Sequence, residues 1–169
     1  MRRTLALIAS VCVLALLFTS ACSSAKDSGK FAAKVAPGGM AEVEMGKLAV
    51  QRSADDSVRE FAMRMIADHT RANAELKTIA TQKNIQLPTE VSSNQKSEMD
   101  KLAKLSGAEF DKEYMSAMVR DHEETVKDFE TQAQEGTDPD IKAFAAKTLP
   151  TLQSHLQMAR DTAKKVGAK

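Results

Sequence analysis

From residue 31 onwards, apolar positions recur every three or four residues, which is the period of an amphipathic α-helix. The clearest stripe lies within residues 57–83 and comprises Val58, Ala62, Met65, His69, Ala72, Leu76 and Ile79. Similar stripes occupy residues 108–135 and 140–166. No alternating β-branched run bounded by turn residues occurs, so the pattern predicts an all-α protein without strands.

Turn residues divide these stripes into helices. We expect the first helix to begin near residue 31, to be interrupted at residues 37–39 (Pro-Gly-Gly), and to resume over residues 40–53. A second helix is predicted over 57–83, and a short one over 95–105 that Gly107 ends. A third long helix ends at Gly136, and the last begins after Pro139 and is kinked by Pro150.

The order of these elements predicts two helical hairpins joined by a long crossover. The crossover has about two dozen residues, enough to climb the length of a bundle at ~1.5 Å per helical residue. The third long helix then starts parallel to the second. This connectivity predicts a ferritin-like four-helix bundle with a short extra helix in its crossover.

The N-terminus has the pattern of an export signal. Arg2 and Arg3 precede an apolar run over residues 5–18 that is short for a membrane span. The run ends in Thr-Ser-Ala before Cys22, which is typical of a lipoprotein cleavage site. We therefore predict a signal peptide over 1–21, a lipidated Cys22, a flexible tether over 22–30 and the bundle domain over 31–169. The alternative is an ordinary cleaved signal with a chance cysteine.

Removal of the signal changes the charge and thiol content. Two of the 24 basic residues leave and no acid does, which gives 22 bases against 23 acids and no electrostatic case for nucleic acid. Cys12 leaves as well, so the mature domain carries no thiol that could form a disulfide. The expected partner is a membrane, held through the lipid on Cys22. Because no Asp follows Cys22, we expect the outer membrane of the cell envelope, with the domain facing the periplasm.

The chain has three histidines, and all three fall on the apolar stripes. Counted from the hairpin turns, His69, His122 and His155 lie at one level of the bundle, together with Glu42. Four helices would thus each present one metal-competent side chain to a common point. We predict a core metal site formed by Glu42 and the three histidines.

A repeated step supports this level. Met65 and Met118 each precede a histidine by four residues, and each histidine follows an aspartate, Asp68 or Asp121. These aspartates point about 100° away from the adjacent imidazole, so we expect each to orient a histidine on another helix. A site of three histidines and one carboxylate suits Zn, Cu, Ni or Fe, and the methionines favour copper. The alternative is that the histidines are core packing residues paired with Asp.

The chain also resembles a known family, the domain of unknown function 4142, whose members are described as outer membrane proteins with a ferritin-like fold. The resemblance rests on residues 38–49, Phe61, 65–69, 87–88, 107–115, 118–123, 149–150 and His155. It implies a ferritin-like bundle in the cell envelope and brings no established activity. The residues singled out above are those that the family pattern shares.

Two features narrow the function. Ile66 and Leu152 stand three residues before His69 and His155, where di-iron ferritins place a bridging carboxylate, so a di-iron oxidase or ferritin cage is disfavoured. No nucleophile elbow or phosphate loop occurs, so we rank an enzyme third. The leading hypothesis is a lipoprotein that binds a single metal ion for buffering, trafficking or stress tolerance. The second is a structural or partner-binding lipoprotein without a ligand.

Overall fold

A computed structural model describes residues 12–168, and the side chains from residue 28 onwards. These residues form five helices and no strand, which confirms the predicted all-α class. The helices are α1 (Cys12–Arg52), α2 (Asp56–Gln82), α3 (Ser93–Leu102), α4 (Gly107–Glu135) and α5 (Pro139–Val166). The start of the predicted signal peptide and the side chain of Cys22 lie outside this described part.

Helix α1 differs from the prediction in two ways. It continues through Pro37 without the expected interruption, and the stretch 22–30, predicted as a tether, is helical. Proline costs an interior helix about 3 kcal/mol, but Ala32, Ala36 and Ala41, on both sides of Pro37, are all buried. Burial of these residues outweighs the local cost. Residues 22–30 contain no proline, so the helix can extend backwards once Phe31 is packed.

The other helix ends follow local capping chemistry. The Asp55 carboxylate accepts a hydrogen bond from the Ser57 amide (2.8 Å) and begins α2. The Asp138 carboxylate accepts hydrogen bonds from the backbone amides of Asp140 and Ile141 and so caps the start of α5. Pro139 occupies the first position of this helix. Gly107 does not end α3 as predicted. It begins α4 at a φ of +63°, a left-handed conformation that glycine adopts without strain and that turns the chain into the new helix.

The helices assemble as the predicted bundle. Helix α1 pairs with α2, α4 with α5, and the two hairpins meet where α2 contacts α5 and α1 contacts α4. Asp111, near the start of α4, bonds the turn that starts α2, so α2 and α4 run parallel. At the opposite end Lys83 pairs with Asp138 (2.8 Å). The crossover therefore returns along the bundle, with α3 lying against α1 and α4.

The interior consists of two apolar clusters. The first cluster lies towards the α1–α2 turn and includes Met45, Met65, Met118 and Ala159. The second cluster lies towards the α4–α5 turn and includes Ala36, Leu76, Val126 and Leu152. Along every long helix, one buried polar residue falls between the two clusters: Glu42, His69, His122 and His155. The bundle thus contains a polar layer between two apolar halves.

Candidate metal centre

The polar layer brings together the four side chains predicted to share one level. Each comes from a different long helix, and each is at most 5% exposed. Close approach of α1 and α2 brings Glu42 near His69. Gly46, one turn after Glu42, makes this approach possible, because it lies against Ile66 and the carbonyl oxygen of Ala62. A Cβ at position 46 would stand 2.9 Å from Ile66 Cγ1 and 3.2 Å from that carbonyl oxygen. The absence of a side chain at Gly46 therefore permits this close approach.

The three imidazoles form a triangle. The ring centroids of His69 and His155 lie 5.4 Å apart, those of His122 and His155 5.5 Å, and those of His69 and His122 5.7 Å. One ring nitrogen from each histidine lies within 4.8 Å of one nitrogen from each of the others. A tetrahedral ion with ~2.0–2.1 Å bonds holds its nitrogen ligands ~3.3 Å apart, so inward ring movements of at most about 1.5 Å would form such a site.

His69 is held by Glu42. Its Nδ1 donates to Glu42 Oε2 across 3.0 Å, within the pair of helices α1 and α2. Burial alone would lower the pKa of this imidazole, but the charge and hydrogen bond of Glu42 raise it above its ordinary value. Burial likewise opposes ionisation of Glu42, yet the neighbouring imidazoles lower the pKa of the carboxyl to about 2. Without a metal, the raised pKa of His69 and the lowered pKa of Glu42 both favour an ion pair between the two side chains.

His122 is held by its own helix. Its Nδ1 lies 2.9 Å from the carbonyl oxygen of Met118 and 3.5 Å from Glu42 Oε1. Because a carbonyl oxygen only accepts, Nδ1 carries the proton and Nε2 has the lone pair. Burial lowers the pKa of this imidazole below its ordinary value, which keeps the ring neutral at pH 7.

His155 is held from another helix. Its Nε2 donates to Asp68 Oδ2 on α2 across 3.0 Å, so the lone pair is on Nδ1. Burial lowers the pKa of this imidazole to about 4, although Asp68 partly opposes the effect. Asp68 itself is fixed by Arg71 (3.4 Å). The prediction that Asp68 faces a histidine on another helix matches this geometry.

Each histidine therefore uses one ring nitrogen for a positioning hydrogen bond and leaves the other without a partner. Within the described part of the chain, no polar atom bonds His69 Nε2, His122 Nε2 or His155 Nδ1, although all three are buried. Buried nitrogens without partners cost about 1–3 kcal/mol each. Metal-bound histidines show the same division, with one nitrogen on the ion and the other on a carboxylate or carbonyl.

Two predicted residues occupy different places from those expected. Glu42 adjoins the triangle rather than joining it, because one oxygen is committed to His69 and the other faces Nδ1 of His122. Asp121 lies 3.6 Å from Arg120 and, among the described side chains, makes no hydrogen bond to a histidine. Burial, with the charge of Glu42, raises the pKa of Asp121 to about 7. Its position directly before His122 on α4 turns it away from the triangle.

A cavity of about 420 Å³ opens on the histidine triangle. His69 and His155 form part of its wall, whereas His122 lies behind them. Lys34 and Glu124, more than half exposed and 3.3 Å apart, mark its outer side. Gly39 lies opposite Asn73, whose side chain would clash with any Cβ at position 39. The three histidines are thus reached from a cavity formed by several helices.

Sequence reasoning missed two parts of this arrangement. The carbonyl oxygen of Met118 fixes His122, but a backbone atom has no residue-type signal; the methionine was noted only for its sulfur. The cavity was missed because its wall residues, such as Lys34, Asn73 and Asp128, come from separate helices. Their convergence depends on how each helix is rotated about its own axis. The apolar stripes define that rotation only to within about one residue, or about 100°.

The fold and the layer together define a class: four-helix bundles with a buried histidine triangle between two apolar clusters. Among residues 12–168, no helix combines the length and apolar content that a membrane crossing requires. The sequence model of one family, the domain of unknown function DUF4142, matches residues 17–162. The chain belongs to the DUF4142 family, as its sequence motifs predicted.

Solved structures of another family share the fold. A DUF305 protein from Streptomyces coelicolor matches with a TM-score of 0.71 and 19% identity, over 82% of this chain and 91% of that one. A DUF305 fragment from Deinococcus radiodurans matches with a TM-score of 0.73 and 12% identity, over 82% and 95%. At these identities the likeness concerns the fold alone. A search of curated proteins gives no match.

Proposed function

We propose that this protein binds a single transition metal ion through His69 Nε2, His122 Nε2 and His155 Nδ1. The observation that carries the proposal is that each nitrogen is buried without a partner while the other nitrogen of its ring is held by a hydrogen bond. Such an arrangement leaves one nitrogen of each imidazole available to a shared ion, which binds His69 once that ring has lost its second proton. Neutral imidazole nitrogens suit Zn²⁺ and Cu²⁺, and also Ni²⁺ and Fe²⁺.

The surrounding groups have separate roles in this proposal. Glu42 and Asp68 hold His69 and His155 in the ligating orientation, and the Met118 carbonyl does the same for His122. Glu42 also supplies a negative charge next to the ion, which offsets part of the charge brought into the interior. Because the protein offers three nitrogens, a fourth coordination position is left for water or another ligand. A site of this kind would suit the buffering or trafficking of a metal, or tolerance of metal stress.

We further propose that a lipid on Cys22 anchors the domain in the outer membrane of the cell envelope, where the domain faces the periplasm. The support is the sequence pattern before Cys22. Labelling of expressing cells with a fatty acid should mark the wild type and not Cys22→Ala. Label that persists in the variant would exclude this anchor.

Metal binding is tested by thermal unfolding of the full chain in detergent, with chelator or with Zn²⁺, Cu²⁺ or Ni²⁺. A bound ion should raise the melting temperature, since it binds the folded state alone. The chain has three histidines in total, so nitrogen splitting in the Cu²⁺ electron paramagnetic resonance spectrum would identify this site.

The matched controls are His122→Gln, which removes a ligand, and Glu44→Gln, an exposed acid on α1. His122→Gln should abolish the metal-induced shift, and Glu44→Gln should retain it. Equal shifts in all three proteins would mean surface binding and refute the core site. If no metal shifts the wild type, the second function stands: a partner-binding lipoprotein whose histidines pack against Glu42 and Asp68.

A further inference from the structure

The cavity beside the histidine triangle is larger than metal access requires. Its volume of about 420 Å³ falls in the range of sites for small organic molecules, ~300–1,000 Å³. Apolar side chains, including Leu76, Phe129 and Phe144, line one part, and charged or hydroxyl side chains line the rest. A metal ion alone needs neither the space nor the apolar wall.

Two of the three histidines line this space. His69 is 5% exposed and His155 is 1% exposed, both line the cavity, and each has a ring nitrogen without a partner. His122 lies behind them and does not line the cavity. An ion held by the three rings would therefore present its remaining coordination position to the cavity.

The charge of the wall restricts what can occupy that position. Leaving Asp121 aside, five carboxylates line the cavity, from Glu42, Asp68, Glu98, Glu124 and Asp128. Two cationic side chains, Lys34 and Arg120, face them. A bound divalent ion would reduce this excess of three negative charges to one. The wall therefore favours a cation over an anion.

We propose that the cavity binds a small organic cation whose neutral nitrogen donor completes the coordination of the metal ion. This inference rests on the proposed metal site. The donor displaces a metal-bound water, and the cationic group lies near Glu124 and Asp128. There it shares the two carboxylates with Lys34, whose Nζ lies 3.3 Å from Glu124 and 2.7 Å from Asp128. Apolar atoms between the two groups pack against Phe129 and Phe144.

The test uses three ligands that share one monodentate donor and differ in charge. These are 3-(aminomethyl)pyridine, pyridine and nicotinate, cationic, neutral and anionic at pH 7; their substituents cannot chelate the ion bound by the ring nitrogen. Each is titrated into the full chain loaded with Co²⁺ or Cu²⁺, and binding is followed in the visible ligand-field spectrum. We expect affinity to fall roughly tenfold at each step from cation to anion, with smaller steps at high salt.

Variants identify the wall as the cause. Glu124→Gln/Asp128→Asn should reduce the preference for the cation at least about threefold and leave the affinity for pyridine unchanged. The matched control is Glu123→Gln/Glu130→Gln, which removes two acids of the same helix that lie outside the cavity lining. The control should keep the wild-type order.

The outcomes separate this inference from the proposed function. Bound metal with a spectrum that no pyridine changes would overturn the cavity ligand and leave the metal site intact. Equal affinities, or tightest binding of nicotinate, would overturn the selection of cations. If the wild type binds no metal in the thermal assay, the metal site and this inference fall together.

Discussion

The proton inventory of the histidine triangle gives the sharpest prediction. A metal ion must displace every proton on the nitrogens that it binds. Burial lowers the pKa of His155 to about 4 and also lowers that of His122, so both rings are neutral at pH 7. The pKa of His69 is shifted in opposite directions by burial and by Glu42, and the net effect is to raise it. His69 is therefore the ring that keeps its second proton to the highest pH, and the metal must displace that proton.

The magnitude follows from this count. Release of one proton changes the metal affinity about tenfold, or about 1.4 kcal/mol, for each pH unit. If all three imidazoles had ordinary pKa values of about 6.5, the metal affinity would fall by nearly a thousandfold per pH unit in acid. Below the pKa of His69 we expect the affinity of the wild type to fall about tenfold per pH unit. The fall should become steeper only at lower pH, where His122 and His155, whose pKa values burial lowers, also bind protons.

Glu42→Gln is the informative perturbation. The glutamine oxygen can still accept from His69 Nδ1, but the negative charge is gone, and burial then lowers the pKa of His69. The pH dependence should nearly vanish around neutral pH. Loss of the carboxylate should also weaken binding by roughly ten- to a hundred-fold.

The assay is competition with a coloured chelator between about pH 5.5 and 8, which spans the ordinary titration of histidine. Calorimetry in buffers of different ionisation enthalpy counts the released protons independently. Glu44→Gln, on the exposed face of α1, should retain the wild-type slope. A wild-type slope of two or three protons, or an unchanged slope in Glu42→Gln, would refute the assigned protonation of the three rings.

Three further predictions concern stability of the metal-free protein. Asp111→Ala should lower the free energy of unfolding in urea by about 2–4 kcal/mol, because its buried carboxylate accepts from the amides of Ala54 (3.2 Å) and Asp55 (3.1 Å); exposed Asp100→Ala should have little effect. Gly46→Ala should destabilise the protein, because the added Cβ would press against Ile66 and the carbonyl oxygen of Ala62. Gly38→Ala should stabilise it by up to about 1 kcal/mol, because a Cβ at position 38 would meet only Gln95, at 3.7 Å. Equal effects of the two substitutions would contradict the close approach of α1 and α2. The pKa of His155 is about 6.5 in the unfolded chain and about 4 in the folded protein, so only the unfolded chain binds this proton between the two values. As the pH drops from 6.5 to 4, the free energy of unfolding of the wild type should therefore fall by up to about 3 kcal/mol more than that of His155→Gln.

Much of the fold was predictable because the apolar stripes are long and their turns carry specific capping residues. The stripe in α2 and the Asp138–Pro139 start of α5 gave boundaries within a residue or two of the structure. Helix α1 was harder. Pro37 is a strong local signal, but the buried face around it decides the outcome, and burial depends on the other helices.

The candidate site was predictable to a similar depth. Helical rise placed Glu42 and the three histidines at one level, because each hairpin turn fixes the height of its helices. Rotation is less constrained than height. A small rotation of α1 decides whether Glu42 is a metal ligand or a positioning residue. In the same way, the rotation of α4 decides that Asp121 points outward. Side-chain direction at this scale follows from packing rather than from spacing.

The polar layer between the two apolar clusters also determines how the helices align along their length. If one helix slid by a single turn, about 5.4 Å, its apolar positions would still meet apolar neighbours, so the clusters alone discriminate weakly between alignments. The layer does not allow such a slip. A displaced imidazole would enter an apolar cluster, and His69 or His155 would lose its hydrogen bond to Glu42 or Asp68. Glu42 would then be left as an unpaired buried charge. The residues that make a metal site conceivable thus select one helix register even when no ion is bound.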